Sequence, residues 1–563
     1  MGTSGHPAGF SRVVCSTLLL VFVFVPLEAQ AQFTFTISNA NVTITGYAGA
    51  AGALTIPDTI NFAGQVLPVV RIGLHAFHNN LTLTGVAVGT NVNSIGANAF
   101  SGCTRLKSAT IPSGVTNIEA AAFSGCVSLT NLAVDGLNPV YSSVGGVLFD
   151  KGQTILIEYP GGASIYAVPP NVTSIAAHAF ESCVGVTNIT IPNSVTNIGP
   201  SAFHNCTGLP SVALPNSIGS IADDEFHGCS GLVSVSLPDG ITAIGTKAFC
   251  NCSNLSNIAF PESVLNIGAS AFQNCISLRS VTIGSNVSSI GDSAFCSCTG
   301  LTNLTFSEGL TSIGELAFGY CANLSTLVIP NSVTNIGVSA FYNCTGLSSV
   351  ILPNALTTIS PFAFCNCSSL RSLVVPNSVT VVGEWAFVGC LSLANLTIGG
   401  SVVSIGQDAF EGSVLTTITI PSSVTNIGVW AFAADWRLNQ VYFEGDAPDV
   451  SPDAFQYDFS ATAYYLPGTM GWEATVGGIP TAMWWLPNPI ILSRASNFGV
   501  QTNGFGFVIS WAASTPVIVE ACTNLTNCGW LPLQTNLLTD GWFYLIDTDW
   551  ANYSSRFYRV RSQ

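Results

Sequence analysis

The sequence predicts a mainly β repeat solenoid of sixteen 23-residue units with short helical turns, followed by a small C-terminal β domain. Three observations predict this fold. A phenylalanine motif recurs at a 23-residue step, each unit alternates apolar and polar positions, and charge is scarce. Of 563 residues, 48% are apolar and 7% are charged, against roughly 25% charged in ordinary soluble chains. Such a composition must bury its apolar side chains, which excludes a disordered chain.

Residues 1–31 have the pattern of a secretory signal peptide. Arg12 precedes an apolar run at 13–25, and Ala29-Gln30-Ala31 forms a cleavage site. We expect a mature chain that begins near Gln32 and is secreted or held at the cell surface. No other run approaches the length of a spanning helix, so no transmembrane segment is expected in the mature chain. A net charge of −16 argues against nucleic-acid binding.

The repeat is marked by a phenylalanine near its C-terminal end. One unit, residues 324–344, reads L-S-T-L-V-I-P-N-S-V-T-N-I-G-V-S-A-F-Y-N-C. Its Leu, Ile, Val, Ala, Phe and Cys side chains are expected to point inward, whereas Ser325, Thr326 and Val328 point outward. A single unit cannot close its own core, so neighbouring units must stack. The marker phenylalanines stand at 77, 100, 123, 180, 203, 226, 249, 272, 295, 318, 341, 364, 387, 410, 432 and 455.

The motif L-x-x-L-x-I-P-x-x-V-x-x-I-G-x-x-A-F-x-x-C resembles the BspA-type leucine-rich repeat of bacterial surface and secreted proteins. The resemblance implies a right-handed solenoid with a role in adhesion or protein binding. It transfers no catalytic residue, because the family shares none. We expect an N-terminal cap at 32–68, repeats at 69–460 and a C-terminal cap at 461–486.

Two segments depart from the 23-residue step. The interval between Phe123 and Phe180 holds an insertion at about 135–170, with a hairpin predicted around 150–152. From residue 487 to 563 the repeat is replaced by a β module. Its last strand carries Arg556, Arg559 and Arg561, which form either a surface-retention patch or, as we favour, ordinary exposed charge.

The cysteines follow the repeat. Twelve of the 18 stand three residues after a marker phenylalanine, and we expect these to be free buried thiols that behave as small apolar groups. A disulfide ladder between coils is the alternative. The best disulfide candidate is Cys522 with Cys528. The predicted repeat core includes Phe100, Phe203, Phe272, Phe318, Phe341, Cys206, Cys275, Cys321 and Cys344.

No set of residues predicts chemistry: we expect no catalytic, cofactor-binding or metal-binding residues, and no cofactor. His204 and His227 occupy the same position in adjacent units and are expected to lie side by side, more simply as surface residues than as metal ligands. The acids Glu444, Asp446, Asp449, Asp453 and Asp458 are expected to form a solvated edge. A column of threonines, among them Thr334 and Thr357, either meets a periodic ligand or, as we favour, fills exposed strand positions.

We therefore predict a non-enzymatic binding scaffold that recognises an extracellular protein or glycoprotein through its repeat face. The outward positions Lys107, Arg279, Arg371 and Tyr442 are its most distinctive side chains. The alternative is a carbohydrate-binding or purely structural surface protein that uses the threonine column or the aromatic residues of the last cap.

Overall fold

Each 23-residue repeat forms one coil of a β solenoid, which confirms the predicted fold class. The computed structural model describes residues 32–161, 164–486, 488–493, 497–525 and 529–563. The predicted signal peptide, 1–31, lies outside the described residues. Nothing helical in the described part of the chain has the length and apolar character needed to cross a membrane.

The first side of the coil is a row of parallel strands in which apolar side chains point inward at every second position. We call this row the long-strand face. Leu327 is buried between the exposed Thr326 and Val328, and the same pattern recurs from coil to coil. The row is interrupted at Asn257, which forms only an isolated bridge to Ser234. Its strands are Gly52–Thr55, Leu83–Ala87, Ser108–Ile111, Asn131–Val134, Ile165–Ala167, Asn188–Thr190, Ser211–Ala213, Ser234–Ser236, Ser280–Ile283, Asn303–Phe306, Thr326–Val328, Ser349–Ile351, Ser372–Val374, Asn395–Thr397, Thr417–Ile420, Gln440–Phe443, Thr462–Tyr465 and Ile479–Met483.

The second side is a row of two-residue parallel strands that end before the glycine of the I-G motif. Gly337 shows why this position is glycine: a Cβ there would lie 2.6 Å from the backbone N of Glu315 in the preceding coil. The row begins on Gln65–Ile72. Its short strands are Ser94–Ile95, Asn117–Ile118, Ser174–Ile175, Asn197–Ile198, Ser220–Ile221, Ala243–Ile244, Asn266–Ile267, Ser289–Ile290, Ser312–Ile313, Asn335–Ile336, Thr358–Ile359, Val381–Val382, Ser404–Ile405, Asn426–Ile427 and Asp449–Val450.

The third side consists of successive turns rather than a strand or a regular helix. Ser339 and Asn343 have φ of 56° and 59°, a left-handed conformation that interrupts helix formation and that Asn tolerates better than most residues. Backbone N–H groups alternate in direction. Ala340 donates to Gly337 within the coil, whereas Phe341 donates to Ala363 of the next coil at 2.9 Å. This alternation ties the turns of neighbouring coils together.

The marker phenylalanines stack into a ring column along the core. Neighbouring ring centroids lie 4.8 to 5.5 Å apart, and their planes are nearly parallel. In the insertion, Tyr159 takes the phenylalanine position, 5.0 Å from the ring of Phe180. The column nevertheless has a gap between Phe123 and Tyr159. The buried core divides there into two clusters, which meet at Val147 and Leu148.

The insertion folds as a three-stranded antiparallel meander. Tyr141–Val144 pairs with Val147–Asp150, which pairs with Ile155–Glu158 across the predicted hairpin. Ile155–Glu158 then pairs in parallel with Ser174–Ile175 and returns the chain to the solenoid. At the N-terminal end, Phe33–Ser38, Asn41–Tyr47 and Thr59–Phe62 precede the first regular coil. Near the C-terminal end, Thr475–Val476 pairs with Ile479–Met483. The limits of the two caps stay predictions.

The C-terminal module consists of two antiparallel sheets. One sheet contains Ile490–Leu492, Gly499–Gln501, Gly504–Ser510 and Trp542–Asp547; the other contains Thr515–Cys522, Leu531–Leu538 and Phe557–Ser562. A 3-10 helix spans Trp550–Asn552. Phe507, Ile509, Val517 and Val519 form the core between the sheets. On the other side of the first sheet, Val508 and Leu492 pack against Leu466 of the last solenoid segment.

We expect Phe318→Ala to cost about 3–5 kcal/mol, the usual cost of truncating a buried phenylalanine. The ring lies 5.2 Å from Phe295 and 5.5 Å from Phe341, so both of its interfaces weaken. In a nearest-neighbour stack, the array should then melt in two separate transitions. Scanning calorimetry measures this, with the exposed Val328→Ala as control. A single transition at the unaltered temperature would contradict the interpretation.

Candidate binding surface

The outward positions of the long-strand face contain an unusual aliphatic run. In most coils the second outward position is Thr, Ala or Ser, as in Thr282 and Thr305. In three successive coils it is Val328, Ile351 and Val374, which are 60%, 58% and 63% exposed. Val328 and Ile351 are register partners, and Val374 follows one strand further on. With strands about 4.8 Å apart, these three side chains form one continuous apolar stripe, which we call the aliphatic stripe.

The same outward column leads to aromatic residues at the C-terminal end of the solenoid. Val374 is paired with Thr397, and two coils beyond Thr397 the column reaches Tyr442 and then Tyr464. The Tyr442 and Tyr464 rings stack at 5.3 Å, and Trp484 lies 4.6 Å from Tyr442. Because aromatic side chains are enriched where proteins meet ligands, this face differs chemically from the hydroxyl-rich coils before it.

The threonine column lies on another part of the coil, and its hydroxyl groups are used within the solenoid. Thr334 Oγ1 donates to the backbone carbonyl of Thr311, and Thr380 Oγ1 donates to Thr357. The same bond is formed by Thr173, Thr196, Thr242, Thr311 and Thr425. A hydroxyl that donates inward has no proton left for a ligand, so the column is better suited to holding coils together.

The twelve cysteines of the repeat core each donate a hydrogen bond to the preceding coil. Cys321 Sγ lies 3.3 Å from the carbonyl oxygen of Phe295, and Cys344 Sγ lies 3.2 Å from that of Phe318. The sequence interpretation missed this role, because it treated the thiol as an apolar group. All twelve are free and buried, as are the second cysteines Cys250, Cys296 and Cys365. Burial raises the pKa of the Cys344 thiol to about 12, which disfavours the reactive thiolate form at that position.

The structure places the predicted core residues in the interior of the coils. Phe100, Phe203, Phe272, Phe318, Phe341, Cys206, Cys275, Cys321 and Cys344 are all buried. Cys522 is disulfide-bonded. Its predicted partner, Cys528, lies outside the described residues, so the pairing stays a prediction.

A cluster of histidine and acidic side chains lies on the turn side at the insertion. The Glu181 carboxylate is 2.8 Å from His178 Nδ1 and 3.0 Å from His204 Nδ1. Burial alone would raise the Glu181 pKa, but the histidine hydrogen bonds outweigh it and lower the pKa to about 2. The rings of His204 and His227 lie side by side at 4.9 Å, as predicted, and each contacts a carboxylate rather than solvent alone.

A cavity of about 110 Å³ adjoins this cluster, lined by Glu158, Glu181, Cys126 and Cys183 among others. Burial and the nearby charge of Glu181 raise the Glu158 pKa well above its usual range. The cavity is far smaller than small-molecule sites, which typically enclose roughly 300 to roughly 1000 Å³. Among the described residues, no group of three or more His, Cys, Asp or Glu side chains is arranged to hold a metal ion.

A serine and two acids replace the core cysteine in the last coils. Ser413, Asp435 and Asp458 stand three residues after Phe410, Phe432 and Phe455, and all three are buried. Among the described residues, neither the Asp435 nor the Asp458 carboxylate has a hydrogen-bond partner with good geometry. The expectation of a solvated acidic edge is therefore wrong for Asp458. Burial raises the pKa of Asp435 to about 8 and that of Asp458 to about 7, because a lone carboxylate is costly in an apolar core.

The arginines of the last strand are each paired with an acid and so do not form a free patch; Arg559 and Arg561 are exposed, as favoured, whereas the Arg556 side chain is largely covered. Arg556 forms an ion pair with Asp547 at 2.6 Å. Arg559 and Arg561 both contact Glu520, at 2.7 Å and 3.0 Å. Arg559 also lies over the Trp530 ring, 4.5 Å from its centroid. These contacts hold the sheet together and leave little uncompensated positive charge.

The sequence model of the BspA type leucine-rich repeat region matches residues 69–145, 164–275, 219–348 and 334–462. The chain belongs to the BspA-type leucine-rich repeat family. Among solved structures, it is similar to a leucine-rich repeat protein from Bacteroides ovatus. Those two chains are 25% identical over 77% of this chain and 98% of that one, with a TM-score of 0.47. None of the curated proteins compared with this sequence is similar to it.

Two further solved repeat proteins are similar in sequence. A leucine-rich cell surface protein from Faecalibacterium prausnitzii is 26% identical over 75% of this chain and 96% of its own, with a TM-score of 0.35. A leucine-rich repeat protein from T. pallidum is 28% identical over 40% of this chain and 89% of its own, with a TM-score of 0.25. With TM-scores below 0.5, the assignment rests on the match to the family's repeat. As a BspA-type protein, this chain is a repeat scaffold for binding or adhesion.

The aliphatic stripe does not follow from the sequence of single units, which predicts only that Val328 points outward. The stripe is visible in the sequence only when the same repeat position is compared between all units, because Val, Ile and Val then stand where most units have Thr, Ala or Ser. Lys107, Arg279 and Arg371 are exposed, as expected, but they precede the strands and stand alone. Tyr442 is the predicted outward residue that the structure joins to a larger feature.

We expect Cys321→Ala to lower the free energy of unfolding by about 1 kcal/mol, through loss of one buried hydrogen bond and a small volume. Reducing agent should leave the melting of the solenoid unchanged, since its cysteines are free. Thermal melting with and without reductant measures both effects. A thiol count on the denatured, unreduced mature protein is the control. A count near one would replace the free-thiol interpretation with a disulfide ladder.

We also expect solenoid stability to fall as pH rises from about 4 to about 8. In this range the folded state keeps protons on Asp435 and Asp458 that the unfolded chain releases near its ordinary pKa of 3.8. Each group then lowers the free energy of unfolding by about 1.4 kcal/mol per pH unit up to its raised pKa. Asp435→Asn and Asp458→Asn should flatten this slope. Urea unfolding between pH 5 and pH 8 tests it, with the exposed Asp449→Asn as control; an unchanged slope would refute the assignment.

Proposed function

We propose that the protein is a secreted or cell-surface, non-enzymatic scaffold that binds an extracellular protein or glycoprotein through the long-strand face. The observation that carries the proposal is the aliphatic stripe. Three neighbouring β-branched side chains are more than half exposed on a face where most other coils present Thr, Ala or Ser. Isolated exposed apolar residues need no explanation, but a contiguous patch marks an interaction site.

The geometry of the face favours a large ligand over a small one. The strands present a flat, repeating surface, and the stripe continues through Thr397 and Thr419 to the aromatic cluster at Tyr442 and Tyr464. This run spans seven coils. At about 4.8 Å per strand the distance is about 29 Å, comparable to one side of a standard protein interface. The surroundings are hydroxyl and amide groups, so desolvation on binding costs less than it would around charged residues.

A triple substitution tests the proposal. Val328→Thr, Ile351→Thr and Val374→Thr give these coils the residue that neighbouring coils carry, so the strands should still form. Mature protein immobilised on a support should capture a surface ligand from cell-envelope extracts, and the triple variant should capture at least tenfold less. Mass spectrometry of the eluates identifies the ligand, and titration with the purified ligand then gives both affinities.

A matched control separates loss of the stripe from loss of valine in general. Val338→Thr, Val403→Thr and Val429→Thr change three partly exposed valines on other sides of the coil. This control should bind as the unmodified protein does. Equal capture by both triple variants would contradict the proposal, because binding would then not depend on the stripe.

A carbohydrate ligand is the second candidate, favoured by the aromatic cluster of Tyr442, Tyr464 and Trp484. Sugars stack on such rings, whereas the threonine column has little free donor capacity. A glycan array distinguishes a site at the aromatic cluster from a site at the threonine column. It compares the unmodified chain with Tyr442→Ala and with a Thr334→Val, Thr357→Val double variant. Binding that is lost in Tyr442→Ala alone would establish a glycan site at the cluster. Loss in the threonine double variant would instead restore the column as the site.

A further inference from the structure

The strand Leu531–Leu538 is an edge of the second sheet of the C-terminal module. The order in that sheet is Leu531–Leu538, Thr515–Cys522 and Phe557–Ser562. Among the described residues, the edge strand is paired only with Thr515–Cys522. The solenoid contacts the other sheet, through Val508 and Leu492. The edge therefore lies on the sheet that does not pack against the solenoid.

Alternate residues of this strand direct their backbone N–H and C=O groups to the open edge of the sheet. Leu537 is opposite Pro516, which has no N–H group and whose carbonyl accepts from Gln563, next to the other neighbouring strand. In an antiparallel ladder, two opposed residues either bond to each other or both point away from each other. Leu537 therefore directs its N–H and C=O to the open edge, and Thr535, two residues earlier, does the same. These groups are a template for another strand.

The side chains of the strand lack the charge that commonly protects an edge, although Pro532 and a bulge opposite Val519 and Glu520 interrupt its first half. Leu531 and Leu537 are 69% and 58% exposed, and Leu533 is also exposed. The sequence L-P-L-Q-T-N-L-L contains no charged residue, whereas natural edge strands are commonly guarded by lysine or other charges. Two copies of a chain with a net charge of −16 repel each other, but this uncharged edge adds nothing to that repulsion.

The strand is complementary to itself about Thr535. In an antiparallel pair with a two-fold axis at this residue, Thr535 faces Thr535 of the second copy and Leu533 faces Leu537. Gln534 then faces Asn536. Within one chain, Gln534 Nε2 donates to Asn536 Oδ1 at 2.9 Å, and Asn536 Nδ2 is buried inside the module. The pairs across the axis therefore match like with like: Thr faces Thr, Leu faces Leu, and one amide side chain faces another.

We propose that two copies of this chain associate through antiparallel pairing of Leu531–Leu538, forming one continuous six-stranded sheet with a two-fold axis at Thr535. A two-fold axis makes one patch serve both copies, as in most homodimers. One pair of eight-residue strands buries less area than a standard interface, which covers roughly 1200 to roughly 2000 Å². The dimer should therefore be weak and concentration-dependent. It would bring two solenoids together and so increase avidity for a repetitive surface.

Analytical ultracentrifugation of the mature chain across micromolar concentrations tests the association. Thr535→Lys places two like charges opposite each other at the axis and should raise the dimer dissociation constant at least tenfold. Thr548→Lys, at an exposed position between the last two strands, is the matched control and should leave it unchanged. Circular dichroism verifies that both variants are folded.

A cysteine cross-link tests the axis itself. At the axis the two Cα atoms of residue 535 lie about 5.5 Å apart, within the range for a disulfide. Oxidised Thr535→Cys should form a covalent dimer in high yield, whereas Leu531→Cys, far from its own copy, and Thr548→Cys should not. A monomer at every concentration would overturn the proposal. So would a dimer that Thr535→Lys leaves intact, or equal cross-linking at all three positions.

Discussion

The stacking of one coil on the next is the interaction on which the rest of the structure depends. No coil has a closed core, because its Phe ring, its aliphatic side chains and its thiol each contact the coil before or after it. The ring column, with centroids 4.8 to 5.5 Å apart, requires every unit to have the same rise. The strand ladders, the turn ladder and the thiol-to-carbonyl bonds all share that rise. The shorter unit between Phe410 and Phe432 keeps it, with ring centroids 5.4 Å apart, whereas the long insertion interrupts the ring column.

This requirement explains the unusual composition. A position that faces the same position of the next coil cannot carry charge without meeting like charge about one strand spacing away, so the chain uses Ser, Thr, Asn and Cys instead. Exceptions occur beside the insertion, in the last coils and, within the regular array, at the buried Glu225. Glu181 is balanced by two histidines beside the insertion, and Asp435 and Asp458 occupy cysteine positions in the last coils. There burial raises the pKa of both carboxyl groups and so favours their protonated forms.

The 23-residue periodicity was sufficient to predict the solenoid, the inward faces and the hairpin of the insertion, because these follow from local alternation and from repetition. Four features did not follow from the single repeat unit. Tyr159 takes the phenylalanine position, but its sequence distance from Phe123 and from Phe180 differs from the 23-residue step, so the motif does not identify it. The hydrogen bond of the Cys321 thiol depends on the offset between coils. Val328, Ile351 and Val374 look ordinary in their own units and become a surface only when register aligns them. The partners of Arg559 and Arg561 likewise come from a distant strand.

The gap in the ring column between Phe123 and Tyr159 also bears on how such proteins change length over time. Because the buried core is divided into two clusters at the insertion, coils gained or lost well beyond the insertion leave the first cluster undisturbed. Whole 23-residue units can therefore be duplicated or deleted within the second cluster without repacking either end. The position of the aliphatic stripe relative to the terminal module would then shift in steps of one coil. The same architecture can thus set the reach of a binding surface by unit copy number rather than by point substitution.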